Sequence, residues 1–171
     1  MKQSKIIPLS VPCFEGNELK YVSRAINSEW VSTKGAFVTE FEGKIADYMK
    51  TRHAVACQNG TSGLHLSLLL AGVKSGDEVI APAVTFIAPI NVIKYTGAEP
   101  VFMDCDDYLN MDMEKTSCFL KKECVRTKSG LKNKRTGRLV KALLPVHIFG
   151  NACDMENLMD LAGQYRLKVI E

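Results

Sequence analysis

Apolar positions follow a helical rhythm at the start of the chain. Leu19, Val22 and Ile26 share one face of a helix predicted over residues 15–27. Phe37, Phe41, Ile45 and Met49 recur every four residues and predict a second helix over 36–49. An unbroken apolar run, His53-Ala54-Val55-Ala56-Cys57, then predicts a buried strand, with Cys57 packed as a small hydrophobe. Beyond it the two rhythms alternate. Helices are predicted over 61–71, 85–95, 112–125 and 154–165, and strands over 78–81, 100–104, 139–147 and 167–171. Gly72 is placed to end the first of these helices and Asp154 to cap the last.

Strand and helix repeated in this order predict βαβ units. The expected fold is α/β, three αβα layers around a mostly parallel sheet. Residues 1–50 form a helical extension in this reading, and residues 51–171 form the sheet domain. In such sheets ligands bind outside the carboxyl ends of the strands. The turns at 58–63, 82–86, 104–110 and 147–152 are therefore where chemistry is expected.

The first of these turns reads Gln58-Asn59-Gly60-Thr61-Ser62-Gly63, between an apolar run and an apolar helix. Gly60 permits a tight turn. Thr61 and Ser62 then bring hydroxyls and unpaired backbone N–H groups to a helix N-terminus, a place suited to a phosphate. Plain N-capping by Thr61 is the alternative. The second turn puts Phe86 at a helix start, to lie on a planar ligand or to fill the core. The fourth puts His147 at a strand end, where a hydrogen-bonded structural role is the alternative. Neither G-x-G-x-x-G nor G-x-x-x-x-G-K-[ST] is present, so the dinucleotide and P-loop fingerprints fail.

Composition narrows the class. Of 171 residues 46% are hydrophobic and 24% charged, which suits a folded domain. No run approaches the ~20 apolar residues of a membrane span, and no apolar stretch of signal-peptide length follows Met1. A cytoplasmic protein is expected. The net charge of +3 is too small to imply nucleic acid. It is also uneven: residues 126–141 hold seven basic residues and no acidic one. That stretch, with Gly130 and Gly137, is expected to be a solvated loop, or alternatively an excursion facing an anion. The six cysteines match no zinc spacing and are expected as reduced thiols, with no metal site.

Several phrases, in order, carry a resemblance. They are Trp30-Val31-Ser32-Thr33-Lys34-Gly35, Asn59-Gly60-Thr61-Ser62-Gly63-Leu64-His65, Gly76-Asp77-Glu78-Val79-Ile80-Ala81-Pro82, Thr85-Phe86, Gly97-Ala98-Glu99-Pro100-Val101-Phe102-Met103-Asp104 and Pro145-Val146-His147-Ile148-Phe149-Gly150. The chain resembles the DegT/DnrJ/EryC1/StrS family of PLP-dependent sugar aminotransferases, and within it the LegC-like subgroup acting on nucleotide-linked 4-keto-6-deoxy sugars in bacterial glycan and nonulosonic acid biosynthesis. The resemblance implies a fold-type I transferase, of which this chain matches the N-terminal part of the large domain. It implies pyridoxal 5'-phosphate as cofactor, its phosphate held by Gly60, Thr61 and Ser62, its ring stacked on Phe86, and His147 nearby. Trp30, Ser32 and Thr33 match a segment near the substrate. Glutamate as amino donor, a nucleotide-linked keto sugar as acceptor, and a homodimer are implied likewise.

Two groups that the resemblance calls for are not found. In such enzymes the last strand runs into an aspartate that pairs with the pyridine nitrogen, and the Schiff-base lysine lies further on. Glu171 stands one position short of that aspartate, and a one-residue shift along a strand reverses side-chain direction. No catalytic residue is assigned in this chain, and the lysine is expected beyond 171. The chain is therefore expected to be part of a longer enzyme, inactive alone. The alternatives are a PLP-dependent sugar dehydratase of the same family and a non-catalytic binding module.

Overall fold

The computed structural model describes residues 7, 8, 10–32 and 34–171. The chain divides into two compact units, Met1–Ala56 and Cys57–Glu171. In the first unit, α1 (Glu18–Asn27) and α2 (Ala36–Tyr48) form where the four-residue spacing predicts helices. Tyr21 of α1 meets Phe37 of α2 edge to face at 5.7 Å. The Arg24 guanidinium lies over both rings, 5.9 and 5.2 Å from their centroids.

No strand forms over 53–57, and Val55 and Cys57 are exposed. The predicted buried strand and packed cysteine are corrected. A short apolar run becomes a strand only when another strand lies beside it. Here the Ala56 N–H donates to the Glu42 carboxylate at 2.8 Å instead.

The second unit runs α3 (Gly60–Leu70), β1 (Glu78–Pro82), α4 (Ile87–Tyr95), β2 (Glu99–Met103), α5 (Met113–Lys122), β3 (Cys124–Thr127), β4 (Gly130–Asn133), β5 (Leu139–Leu143), α6 (Met155–Tyr165) and β6 (Lys168–Val169). Its sheet has the order β2-β1-β5-β4-β3, with β6 also paired to β5. β1 is parallel to β2 and to β5, and β6 is parallel to β5. β4 and β6 share one edge of β5, pairing with its first and second halves respectively.

Side-chain alternation sorts the core into two layers. Val79 and Ala81 of β1 face one side, where they pack with Leu68 of α3 and Val92 and Ile93 of α4. Ile80 faces the other, with Leu120 of α5 and Leu158, Leu161 and Ala162 of α6. The three αβα layers and the mostly parallel sheet follow. The pairing of β1 with β5 shifts register between Glu78 and Val79, leaving Lys141 without an opposite residue. This bulge places Val140 and Leu143 in one layer and Ala142 in the other.

The basic stretch is not a loop. β3 and β4 form an antiparallel hairpin, and its pattern is a strand pattern, with Leu131 and Asn133 buried between exposed neighbours. The helix predicted to reach Val125 ends at Lys122, because Cys124 and Val125 pair with β4. The strands predicted over 139–147 and 167–171 are shorter, at Leu139–Leu143 and Lys168–Val169. Among the described residues no helix is long and apolar enough to cross a membrane.

Glu78, buried at the head of β1, anchors the hairpin to the parallel part of the sheet. Its Oε2 accepts from Asn133 Nδ2 at 2.9 Å and its Oε1 from Thr136 Oγ1 at 2.7 Å. Its charge also acts on Cys124 of β3. Burial first, then Glu78, push that thiol from 9.0 to about 11. Between these values the unfolded chain has lost the thiol proton and the folded chain keeps it. Stability therefore falls as pH rises from 9.0 to about 11. Urea unfolding across that range is expected to show a loss of about 2–3 kcal/mol that Cys124→Ala abolishes. Asn133→Ala, which strands one Glu78 oxygen, is expected to cost about 1–3 kcal/mol in the same measurement.

Candidate functional site

The parallel pairs bring the turns after β1, β2 and β5 and the end of β6 to one edge of the sheet. α3 and α4 cover one face and enter from the same edge. α3 leads through a short connection into the start of β1, so its own N-terminus lies about one strand length away, towards the carboxyl end.

Asn59 is the N-cap of α3, and its side chain accepts from the Ser62 N–H at 2.9 Å. Its carbonyl accepts from Gly63 N–H at 3.2 Å. Thr61 is thus not the cap. The first helical turn keeps the Gly60 and Thr61 N–H groups without a partner among the described residues. Thr61 is half-buried and Ser62 exposed. A Cβ added at Gly60 would meet no atom within 4 Å, so the chain is uncrowded on that side of the turn. Two backbone donors, two hydroxyls and the positive end of an 11-residue helix form a fitting cradle for a phosphate.

Phe86 is the N-cap residue of α4, and its ring is 72% exposed. It is not a core residue. An apolar ring held in the open at a strand's carboxyl end is suited to a flat ligand. Thr85 beside it carries a buried hydroxyl without a partner among the described residues.

His147 follows β5. Its Nδ1 accepts from the Cys153 N–H at 3.0 Å, and its Nε2 lies 3.2 Å from Glu171 Oε2. Asn110, buried in the turn after β2, reaches the same segment, with Nδ2 donating to the Ala152 carbonyl at 3.0 Å. Next along this edge, Lys115 pairs with Asp104 at 2.6 Å. That hydrogen bond holds the Asp104 carboxyl below its usual range and the Lys115 amine above its own.

Trp30 and Ser32 belong to the first unit. Both line a cavity of about 800 Å³ with Arg24, Gly35 and Phe37. Trp30 is 59% exposed and is not core. Its indole crosses Gly35 so closely that a Cβ there would lie 2.5 Å from Cδ1. Thr33 lies outside the described residues.

Sequence reasoning thus found Gly60, Thr61, Ser62 and Phe86 on this edge of the second unit. It missed Asn59 as the cap, although an Asn immediately before a helix glycine is itself a signal. It missed Asn110 and Cys153, which no local pattern marks.

The model of the DegT/DnrJ/EryC1/StrS aminotransferase family matches residues 12–171. GDP-perosamine synthase of Caulobacter vibrioides is 39% identical over 166 residues, covering 96% of this chain and 40% of that protein. The aminotransferase from Psychrobacter cryohalolentis superposes with a TM-score of 0.78 at 34% identity, covering 96% of this chain and 38% of that one. NtdA from Bacillus subtilis, solved with bound cofactor PMP, superposes with a TM-score of 0.74 at 28% identity, covering 90% of this chain and 32% of that one. The chain spans about 40% of the length of such curated relatives.

Two substitutions separate folding from ligand duty on this edge. Asn59→Ala removes the cap and is expected to lower unfolding free energy by ~1 kcal/mol in urea titration. Phe86→Ala removes an exposed ring and is expected to leave it within ~0.5 kcal/mol.

Proposed function

The chain belongs to the DegT/DnrJ/EryC1/StrS aminotransferase family, and on that premise we propose that it supplies the cofactor cradle of a PLP-dependent sugar aminotransferase. The acceptor in this reading is a nucleotide-linked 4-keto-6-deoxy sugar, the amino donor is glutamate, and the working form is a cytoplasmic homodimer. The observation that carries the reading is the first turn of α3. Asn59 satisfies Ser62 N–H and leaves the Gly60 and Thr61 N–H groups without a partner among the described residues, beside a Gly60 whose Cβ position is open.

Each residue then has a physical task. Gly60 and Thr61 donate backbone N–H groups to phosphate oxygens, and Thr61 and Ser62 add hydroxyls. The helix dipole stabilises the same charge. Phe86 supports the ring from one face and limits its tilt. His147, fixed at both ring nitrogens, keeps the turn after β5 against the end of β6. When bound, the cofactor supplies an electron sink for the carbon that exchanges its proton. Trp30 and Ser32 line a cavity suited in kind to a sugar, with an aromatic face and a hydroxyl.

Titration with pyridoxamine 5'-phosphate, followed by calorimetry, tests the cradle. The phosphorylated compound is expected to bind and pyridoxamine without phosphate to bind at least ~10-fold more weakly. Ser62→Asp places a carboxylate in the cradle and is expected to weaken binding by a further ~10-fold or more. Phe86→Ala is expected to weaken it by up to ~10-fold, the worth of one aromatic stack. Equal binding of the two compounds, or binding untouched by Ser62→Asp, overturns the reading.

A further inference from the structure

Two turns and the end of β6 at the carboxyl edge are joined by side chains that no phosphate or ring contact requires. Asn110, only 2% exposed, sits in the turn after β2. Its Nδ2 donates to Ala152 carbonyl at 3.0 Å, and its Oδ1 accepts from the Ile148 N–H at 3.4 Å. The Cys153 thiol lies 3.6 Å from the same Oδ1 and 3.2 Å from the Val146 carbonyl. Asn110 is itself held by its own turn. Its N–H donates to Asp106 Oδ1 at 2.9 Å, and its carbonyl accepts from Asp106 N–H at 2.9 Å. The segment after β5 is therefore gripped at Ile148 and Ala152, on either side of Phe149.

Phe149 shows how firm that grip is. Its φ of 51° lies in the left-handed region, unusual for a bulky residue, while its ring is 84% exposed. Nothing about the ring itself repays that backbone conformation. Such strain persists only where the surroundings over-determine it. Here the flanking bonds do so, with Gly150 N–H to His147 carbonyl at 3.1 Å and Asn151 N–H to Ile148 carbonyl at 2.9 Å.

The held segment delivers one group to a defined place. The Cys153 N–H points at His147 Nδ1, 3.0 Å away. A backbone N–H can only donate, so Nδ1 must be the bare nitrogen and the ring proton must sit on Nε2. Nε2 faces the Glu171 carboxylate at 3.2 Å. A carboxylate can only accept, so both contacts demand the same tautomer.

We propose that Asn110 is a positioning residue which, through the Cys153 N–H, holds His147 as the Nε2–H tautomer donating to the carboxylate at the end of β6. The turns after β2 and β5 are thereby tied to the residues that follow β6. The imidazole is presented to that edge as a hydrogen-bond donor with fixed direction. This proposal does not rest on the aminotransferase reading, because the tautomer is defined without any ligand.

Nitrogen NMR of the protein labelled at histidine tests it directly. The chain has three histidines, and His65, edge to face with Tyr95 in another part of the sheet domain, is the internal control. The expected result is a pyrrole-type Nε2 and a pyridine-type Nδ1 for His147. Asn110→Asp, which loses the donor to Ala152, is expected to shift His147 towards an averaged mixture of tautomers while the His65 signals stay in place. His147→Gln can accept from Cys153 and donate to Glu171. It is expected to keep Cys153 amide exchange slow, whereas His147→Leu speeds it about tenfold or more. A dominant Nδ1–H form in the unaltered protein overturns the proposal. So does an Asn110→Asp protein with an unchanged His147 signature, or one in which His147 and His65 shift alike, which would mark Asn110 as a general packing residue.

Discussion

The parallel pairing of β1 with both β2 and β5 governs the rest of the molecule. Parallel neighbours need crossover connections, and those crossovers put α4, α5 and α6 over the faces of the sheet. All five residues of β1 are buried as a result. The same pairing sends the turns after β1, β2 and β5 and the end of β6 to one edge. An open aromatic ring and a doubly bonded imidazole collect there because strand direction leaves their turns no other place, and the length of α3 brings its backbone donors to the same edge.

That constraint has a consequence at the opposite end of β1. A strand with no solvent face has nowhere to send a carboxylate, yet Glu78 stands at its head. The antiparallel hairpin supplies Asn133 and Thr136 to occupy both carboxylate oxygens. β5 must then serve two kinds of neighbour along one edge, β4 in its first half and β6 in its second. The bulge at Lys141 falls between these halves and re-aims the side chains, so that both core layers remain filled.

At the carboxyl edge, hydrogen bonds are divided between closing and leaving open. Asn59 closes one donor of α3 and leaves two. Asn110, Cys153 and His147 close every polar group of the turn after β5 that they reach, at the cost of a strained Phe149 backbone. The first arrangement suits a group that arrives as a ligand. The second suits a wall that must not move when it does.

The local pattern of the chain determined most helices, the α/β class and the helix start at Gly60. Helix periodicity and the Gly60-Thr61-Ser62 turn depend on neighbours within a few residues, and Phe86 was legible because it closes the short turn between a strand and a helix. Strand pairing was not local and was misread in both directions. Residues 53–57 are apolar enough for a strand but form none, and residues 126–141 read as a charged loop, yet most of the hairpin over 124–133 is drawn from them. Apolarity reports burial, whereas a strand requires a neighbouring edge, and a chain does not state which edges will meet. The tautomer of His147 lay furthest from the sequence. It depends on a backbone N–H six residues away, a carboxylate 24 residues away and an asparagine in another turn. Only the folding of the sheet brings those groups within hydrogen-bonding distance of one ring.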